Sequence, residues 1–236
     1  MQLQWIPAQQ VQSKEAFLNI VAAYQAATNA SISGTTSASN SATTDNTSGV
    51  AEQLSGTCFL VETPALMASA LSEVSSAFFD GNKDIALRLF EAVKKNVFAL
   101  VDGILVAQKT ACISRLGDLF TEIEWLLHDK PVRSFLYYKD QIVCTGAVLG
   151  SALLHHFLLE EGVDNEFLDM RDCMVASDEF GGADVIEDIS LKRLQQTINT
   201  DSIVVTQAGI GATDQNENAM LTEAGTIWLQ RTLTGL

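Results

Sequence analysis

Residues 167–185, FLDMRDCMVASDEFGGADV, gather the residue types from which a substrate loop could be built. Asp169, Asp172, Asp178 and Glu179 could hold a metal or a substrate amine. Arg171 is the one base among them, and Gly181-Gly182 closes the acidic turn. Acids grouped in a loop more commonly form a solvated turn than a site. The loop therefore raises the question of what chemistry the rest of the chain could bring to it.

Little of the usual material is present. The histidines are His128, His155 and His156. Neighbours on a helix diverge by about 100°, so the His155-His156 pair cannot converge on one metal, and packed or surface histidines are the stronger reading. With no other histidine, a Ser/His/Asp triad has little to draw on. Cys58, Cys112, Cys144 and Cys173 show no CxxC spacing, which argues against a zinc ribbon or a redox dithiol and for reduced core thiols. A phosphate cradle needs several glycines, or glycines with a lysine, at a strand-to-helix turn. The first such turn, WIPAQQVQS, has no glycine and no lysine before Lys14, and Pro7 removes a backbone donor there. The second, AGIGATDQN (208–216), has two glycines that a tight turn explains equally well.

The elements that would position these residues can be read from periodicity. Ser13 and Glu15, followed by Phe17, Ile20, Val21 and Tyr24, predict a capped helix. Residues 28–49, rich in Ser, Thr and Asn, cannot bury enough apolar surface to offset ordering entropy and are expected to be a flexible surface loop. TCFLVE (57–62) is a short buried-strand candidate. Ile85 to Ile104 and Ile113 to Leu127 recur at spacings of three and four, as helices do. A third amphipathic helix is expected from about Asp140 to Glu161. NEFLDM then reads as a strand, ISLKRLQQTI as a helix, SIVVTQ (202–207) as a buried strand, AGIGAT as a glycine turn, and 222–232 as a last helix. Strands alternating with helices argue for an α/β layered fold with a mainly parallel sheet.

The chain has 236 residues, 47% hydrophobic, with 29 acids against 14 bases and a net charge of −15. Such a charge is repelled by phosphate backbones and anionic membranes, so neither nucleic acid nor membrane is an expected partner. No window approaches about 18–20 uninterrupted apolar residues, so no membrane-spanning helix is expected. The N-terminus MQLQWIPAQQ lacks the pattern of a signal peptide, and with reduced cysteines this points to the cytoplasm.

Laid end to end, these pieces resemble the catalytic domain of aspartate kinases, in the amino-acid kinase superfamily. FLDMRDCMVASDEFGGADV is similar to the family's LDAR…TDDxFGxA segment, SIVVTQAGIGATDQNENAMLTEAG to its VVTQGFIGAT…GGSDY segment, and DQIVCTGAVLGSALL to its DxIxSFGExLSAxLL segment. The order matches over nearly the whole chain. The resemblance implies a three-layer α/β/α fold with a mainly parallel sheet; a single domain is expected over 1–236, without the regulatory ACT domains that follow in the family. It also places Arg171, Asp172, Ser177, Asp178, Phe180 and Gly181 beside a substrate.

The departures fall where the family does its chemistry. The family opens with KFGGTSVG, whose lysine and glycines hold ATP phosphates. Here WIPAQQVQ (5–12) puts Trp5 for the lysine and Pro7 and Ala8 for the glycines. The turn at 61–68 reads VETPALMA and lacks the family's glycine and threonine. Ala147 stands for the substrate-contacting glutamate, after a retained Gly146. Thr226, Ile227 and Trp228 replace Ser, Asp and Tyr. Phosphoryl transfer rests on positioning and on cations and backbone donors, so this pattern implies folding without catalysis. The expectation is an aspartate-kinase-like protein that has lost phosphotransfer, needs no cofactor, and acts by binding another protein or a second copy of itself. The alternatives are an amino-acid-sensing domain, with a small amino acid as ligand, and an active aspartate kinase with unusual ATP contacts.

Overall fold

Four short apolar strands carry the fold, and their burial follows from their composition. The computed structural model describes residues 1–10, 13–33 and 56–236, with side chains undescribed for 24–33. β1 (Gln2–Ile6), β2 (Thr57–Val61), β3 (Glu166–Phe167) and β4 (Ile203–Gln207) form one sheet in the order β1-β2-β4-β3. All three pairings are parallel, with Trp5 opposite Leu60 and Leu60 opposite Thr206. The two central strands, TCFLV and IVVTQ, are buried at every residue, as parallel strands covered on both faces must be.

Helices α1 (Lys14–Ser33), α2 (Ala65–Phe79), α3 (Lys83–Ile104), α4 (Lys109–His128) and α5 (Phe135–Glu160) precede β3. α6 (Met170–Cys173) and α7 (Glu187–Thr197) lie between β3 and β4. A hairpin of β5 (Ile210–Ala212) with β6 (Asn218–Met220) then leads to α8 (Glu223–Gly235). α5 packs on β4, β3 and β2, α2 and α4 pack on α5, and α8 packs on β1. The result is the expected α/β/α layering on a parallel sheet.

The periodicities place most elements well. Ser13 Oγ accepts from Ala16 N at 3.2 Å, so the capped start of α1 is as expected. α3 buries Ala86, Phe90, Val93, Val97, Val101 and Ile104, and α4 buries Cys112, Leu116, Leu119, Phe120, Ile123 and Leu127. Each set is one stripe of an amphipathic helix.

Four expectations need correction. α5 begins at Phe135, where Ser134 Oγ accepts from Tyr137 N, and it is buried all round instead of amphipathic. By length and a mean hydropathy of 1.8 it is apolar enough to cross a membrane, but 94% of that window is buried inside the protein. A helix apolar on every face is satisfied by a surrounding core. The strand predicted in NEFLDM pairs only over Glu166–Phe167, because Asp169 turns the chain by capping α6. AGIGAT is mostly strand: Gly209 makes the turn at φ +71, while Gly211 sits in β5, where a Cβ would lie 2.6 Å from the Met174 carbonyl oxygen. The expected flexible loop at 28–49 begins too early, since α1 runs to Ser33, and its remaining residues lie outside those described.

Candidate functional site

At the carboxyl ends of β1, β2 and β4 lies a crevice of about 310 Å³, bordered by Trp5, Glu62, Thr63, Cys144, Gly209 and Thr226 among others. Open parallel sheets place ligands at this position. The crevice lining includes no lysine or arginine among the described residues. The β1–α1 turn, where a phosphate cradle would need free amides, is already engaged: Ala8 N donates to Glu62 Oε2 at 2.9 Å. Pro7 offers no N–H at all. Ala147, at the position of the family's glutamate, is fully buried in α5 and presents no polar group.

Arg171 sits at the first turn of α6. Its Nε and Nη2 reach Asp169 at 2.7–3.1 Å, and its Nη1 reaches Glu122 Oε2 at 3.1 Å and Asn218 Oδ1 at 3.4 Å. Its partner is thus Asp169, with Glu122 from α4, and not Asp172. Burial works against the guanidinium charge, but Asp169 and then Glu122 outweigh it and hold the pKa above the ordinary value. Asp172 is exposed, and its carbonyl accepts from Arg193 at 3.3 Å. Arg171 and Asp172 together border a polar cavity of about 390 Å³ with Glu122, Tyr137, Gln141 and Asn218.

The other expected residues lie elsewhere. Ser177 and Asp184 close the loop mouth on each other, Ser177 N to Asp184 O at 2.8 Å and Asp184 N to Ser177 Oγ at 3.0 Å. Asp178 is exposed. Phe180 stands edge-on to Tyr137 at 5.0 Å, and Arg133 lies over Tyr137 at 3.9 Å while pairing with Glu217. Gly181, at φ +89, donates its N–H to Asp140 Oδ2 at 2.8 Å. Ser177, Asp178, Phe180 and Gly181 line neither this polar cavity nor the strand-end crevice. The segment is therefore split: its first part faces a polar cleft, and its second part is pinned to the start of α5.

Asp140 does that pinning and went unread as a site residue. It is fully buried; its Oδ2 also accepts from Met220 N at 3.0 Å, and its Oδ1 has no partner. Burial raises its pKa, and the two amide donors counter that rise in part. One carboxylate thus ties the 177–184 loop and the β5–β6 hairpin to the core helix. Gln207 does the same for β3 and α6: it donates to Ser151 Oγ at 2.6 Å and Leu168 O at 3.2 Å and accepts from Met170 N at 2.7 Å. An acid set just ahead of the long apolar run of α5, and an amide ending a buried strand, are the signals that could have found both.

The histidines are packed, as expected for His155 and His156. His155 Nδ1 meets Asn165 Oδ1 at 2.7 Å and His156 Nδ1 meets Gln108 Oε1 at 3.4 Å. The four cysteines are free and buried, and burial raises the Cys58 and Cys112 thiols to about 12.

No protein-family model matches the chain, and no curated protein matches it. Solved structures do. E. coli aspartokinase III superposes with a TM-score of 0.70 and 16% identity in its complex with lysine and aspartate, and with 0.71 and 15% in its complex with aspartate and ADP. Each match covers 99% of this chain and 46% of that one. The aspartate kinase of Clostridium acetobutylicum gives a TM-score of 0.65 at 11% identity, covering 99% and 45%. The chain spans about half the length of these enzymes and has their amino-acid-kinase-like fold.

Proposed function

We propose that this chain is an aspartate-kinase-like domain that has lost phosphotransfer and works by binding a protein partner or a second copy of itself, in the cytoplasm. The observation that carries the reading is the Glu62 carboxylate on Ala8 N in the β1–α1 turn. An anion of the protein itself takes a backbone donor that a bound phosphate would need. Trp5 stands at the end of β1, and no described cation lines the crevice. A polyphosphate would approach a carboxylate in a protein of net charge −15, with no cation among the described lining residues to offset the repulsion. The loss of one electrostatic donor alone costs about 3–4 kcal/mol of transition-state stabilisation, and several are missing here.

The substrate side is consistent with this. Arg171 is committed to Asp169 and Glu122, so a substrate carboxylate would have to displace an internal ion pair. Ala147 offers no anchor for an amine. Aspartate itself is expected to bind in the millimolar range or not at all.

The direct test is an assay for ADP release from ATP dependent on aspartate, with hydroxylamine to trap an acyl phosphate. The expected rate is indistinguishable from the protein-free control. Aspartate-dependent turnover, abolished by an Arg171→Ala substitution, would establish the alternative of an active kinase with unusual ATP contacts.

A further inference from the structure

β1 is an outer strand of the sheet, and among the described residues its one strand neighbour is β2. Gln2 N donates to Gly56 O, and Ile6 O accepts from Glu62 N at 2.9 Å. The even-numbered residues of β1 therefore turn their backbone groups toward β2. Backbone direction alternates along a strand, so the N–H and C=O groups of Leu3 and Trp5 point outward. No described residue beyond β2 bonds to them. An open edge is a template for another strand, and native edges are commonly blunted by charge, proline or a covering element. Within β1, QLQWI carries neither charge nor proline, in a chain with 29 acids.

Beside this edge, β1 and α8 enclose a groove of about 590 Å³, lined by Leu3, Trp5, Gln230, Arg231, Thr234 and Gly235. Leu3 and Trp5 are half-buried, each leaving apolar surface toward solvent. No carboxylate is among the described lining residues, and Arg231 makes no ion pair among the described residues. Two copies of net charge −15 repel each other over most of their surface, so contact between them needs a strip without acids. The β1 edge and its groove form one.

The register selects a second copy as the occupant. In an antiparallel pairing with its dyad at Gln4, Leu3 of each copy lies opposite Trp5 of the other. These are the residues whose backbone groups point outward, so each such pair exchanges both N–H···O bonds. Their side chains share the α8 face, where an aliphatic–indole pair is a favourable cross-strand contact. Gln2 then meets Ile6, Gln4 meets Gln4, and no charge faces another. The strand is its own complement, as an isologous contact requires. We propose that β1 pairs antiparallel with β1 of a second copy of this chain, joining two four-stranded sheets into one continuous sheet. This contact rests on the reading that the chain acts by binding a second copy of itself, and it holds whether or not phosphotransfer is lost.

Sedimentation velocity of the full chain, from micromolar to submillimolar concentration, is expected to show a monomer passing into a dimer. Gln4→Lys and Gln4→Glu each place like charges across the dyad and should weaken the dimer at least tenfold. An equimolar mixture of the two variants should regain the dimer mass, because lysine then faces glutamate. Amide exchange of the unaltered chain needs no variant: Leu3 and Trp5 should slow as the dimer fills, while Gln2 and Gln4, already bonded to β2, should not change. A chain that stays monomeric throughout, a dimer whose Leu3 and Trp5 amides exchange as in the monomer, or a dimer indifferent to both charge variants would overturn the proposal. So would a monomer with both amides protected at every concentration, which would show the edge taken by another segment of the same chain. None of these outcomes bears on ADP release, which reads phosphotransfer separately.

Discussion

Asp140→Ala is expected to lower the unfolding free energy by about 3 kcal/mol, among the larger effects a single polar residue can have. The substitution leaves Gly181 N and Met220 N without their acceptor in a buried setting. Each orphaned donor costs about 1–3 kcal/mol, and relief from holding a desolvated carboxyl offsets part of that sum. Denaturant unfolding measures the loss, and amide exchange should show Gly181 and Met220 opening together. A change below about 1 kcal/mol would mean that the two loops are held by other contacts.

The same carboxyl has a signature in pH. Its folded pKa is raised, so its contribution is fully present below the unfolded value of 3.8 and is lost as pH rises through the folded pKa. Over that window the unfolded chain ionises while the folded protein still holds the proton. Asp140→Asn cannot ionise, so the stability of the wild type relative to this variant should fall as pH increases from about 4. A difference that grows in favour of the wild type would show the folded pKa to be depressed instead.

Gln207→Leu is expected to cost about 2–4 kcal/mol although the side chains are similar in size. Gln207 is fully buried and makes three bonds that join α5, β4 and the β3–α6 turn. Leucine leaves Met170 N and Leu168 O unpaired beside Ser151. In a double-mutant cycle with Ser151→Ala the costs should be non-additive by about 0.5 kcal/mol or more, because either substitution alone already removes the Gln207–Ser151 hydrogen bond. Strict additivity would separate the two residues. Since this knot fixes the turn that carries Arg171, the variant should also move the Arg171–Asp169 pair.

Much of the architecture was legible in the sequence because it rests on periodicity. The stripes of α3 and α4 and the continuous apolar runs of β2 and β4 are local patterns with one physical reading. The burial of α5 on all sides was not, since an apolar residue carries no mark of which neighbour covers it. Positions 28–33 were misread because Ser, Thr and Asn favour loops, yet the first helix continues to Ser33.

The candidate site was legible in residue type and illegible in pairing. Arg171 and Asp172 do face a cavity, but nothing in the sequence said that Arg171 would be taken by Asp169 and by Glu122 from α4. Glu62 on Ala8 N joins residues 54 apart in sequence, and Asp140 on Met220 N joins residues 80 apart. Such contacts are set by the register of the whole sheet. Motif comparison could flag Trp5, Pro7 and Ala147 as departures; the carboxylate that fills the turn needed coordinates.

The most direct measurement is a calorimetric titration of the full chain with Mg-ATP. With Glu62 on the Ala8 amide, Pro7 lacking a donor and no described cation in the crevice, the account predicts no saturable heat up to millimolar nucleotide. Saturable binding in the micromolar-to-millimolar range, weakened by a substitution in the crevice such as Thr63→Trp, would contradict it.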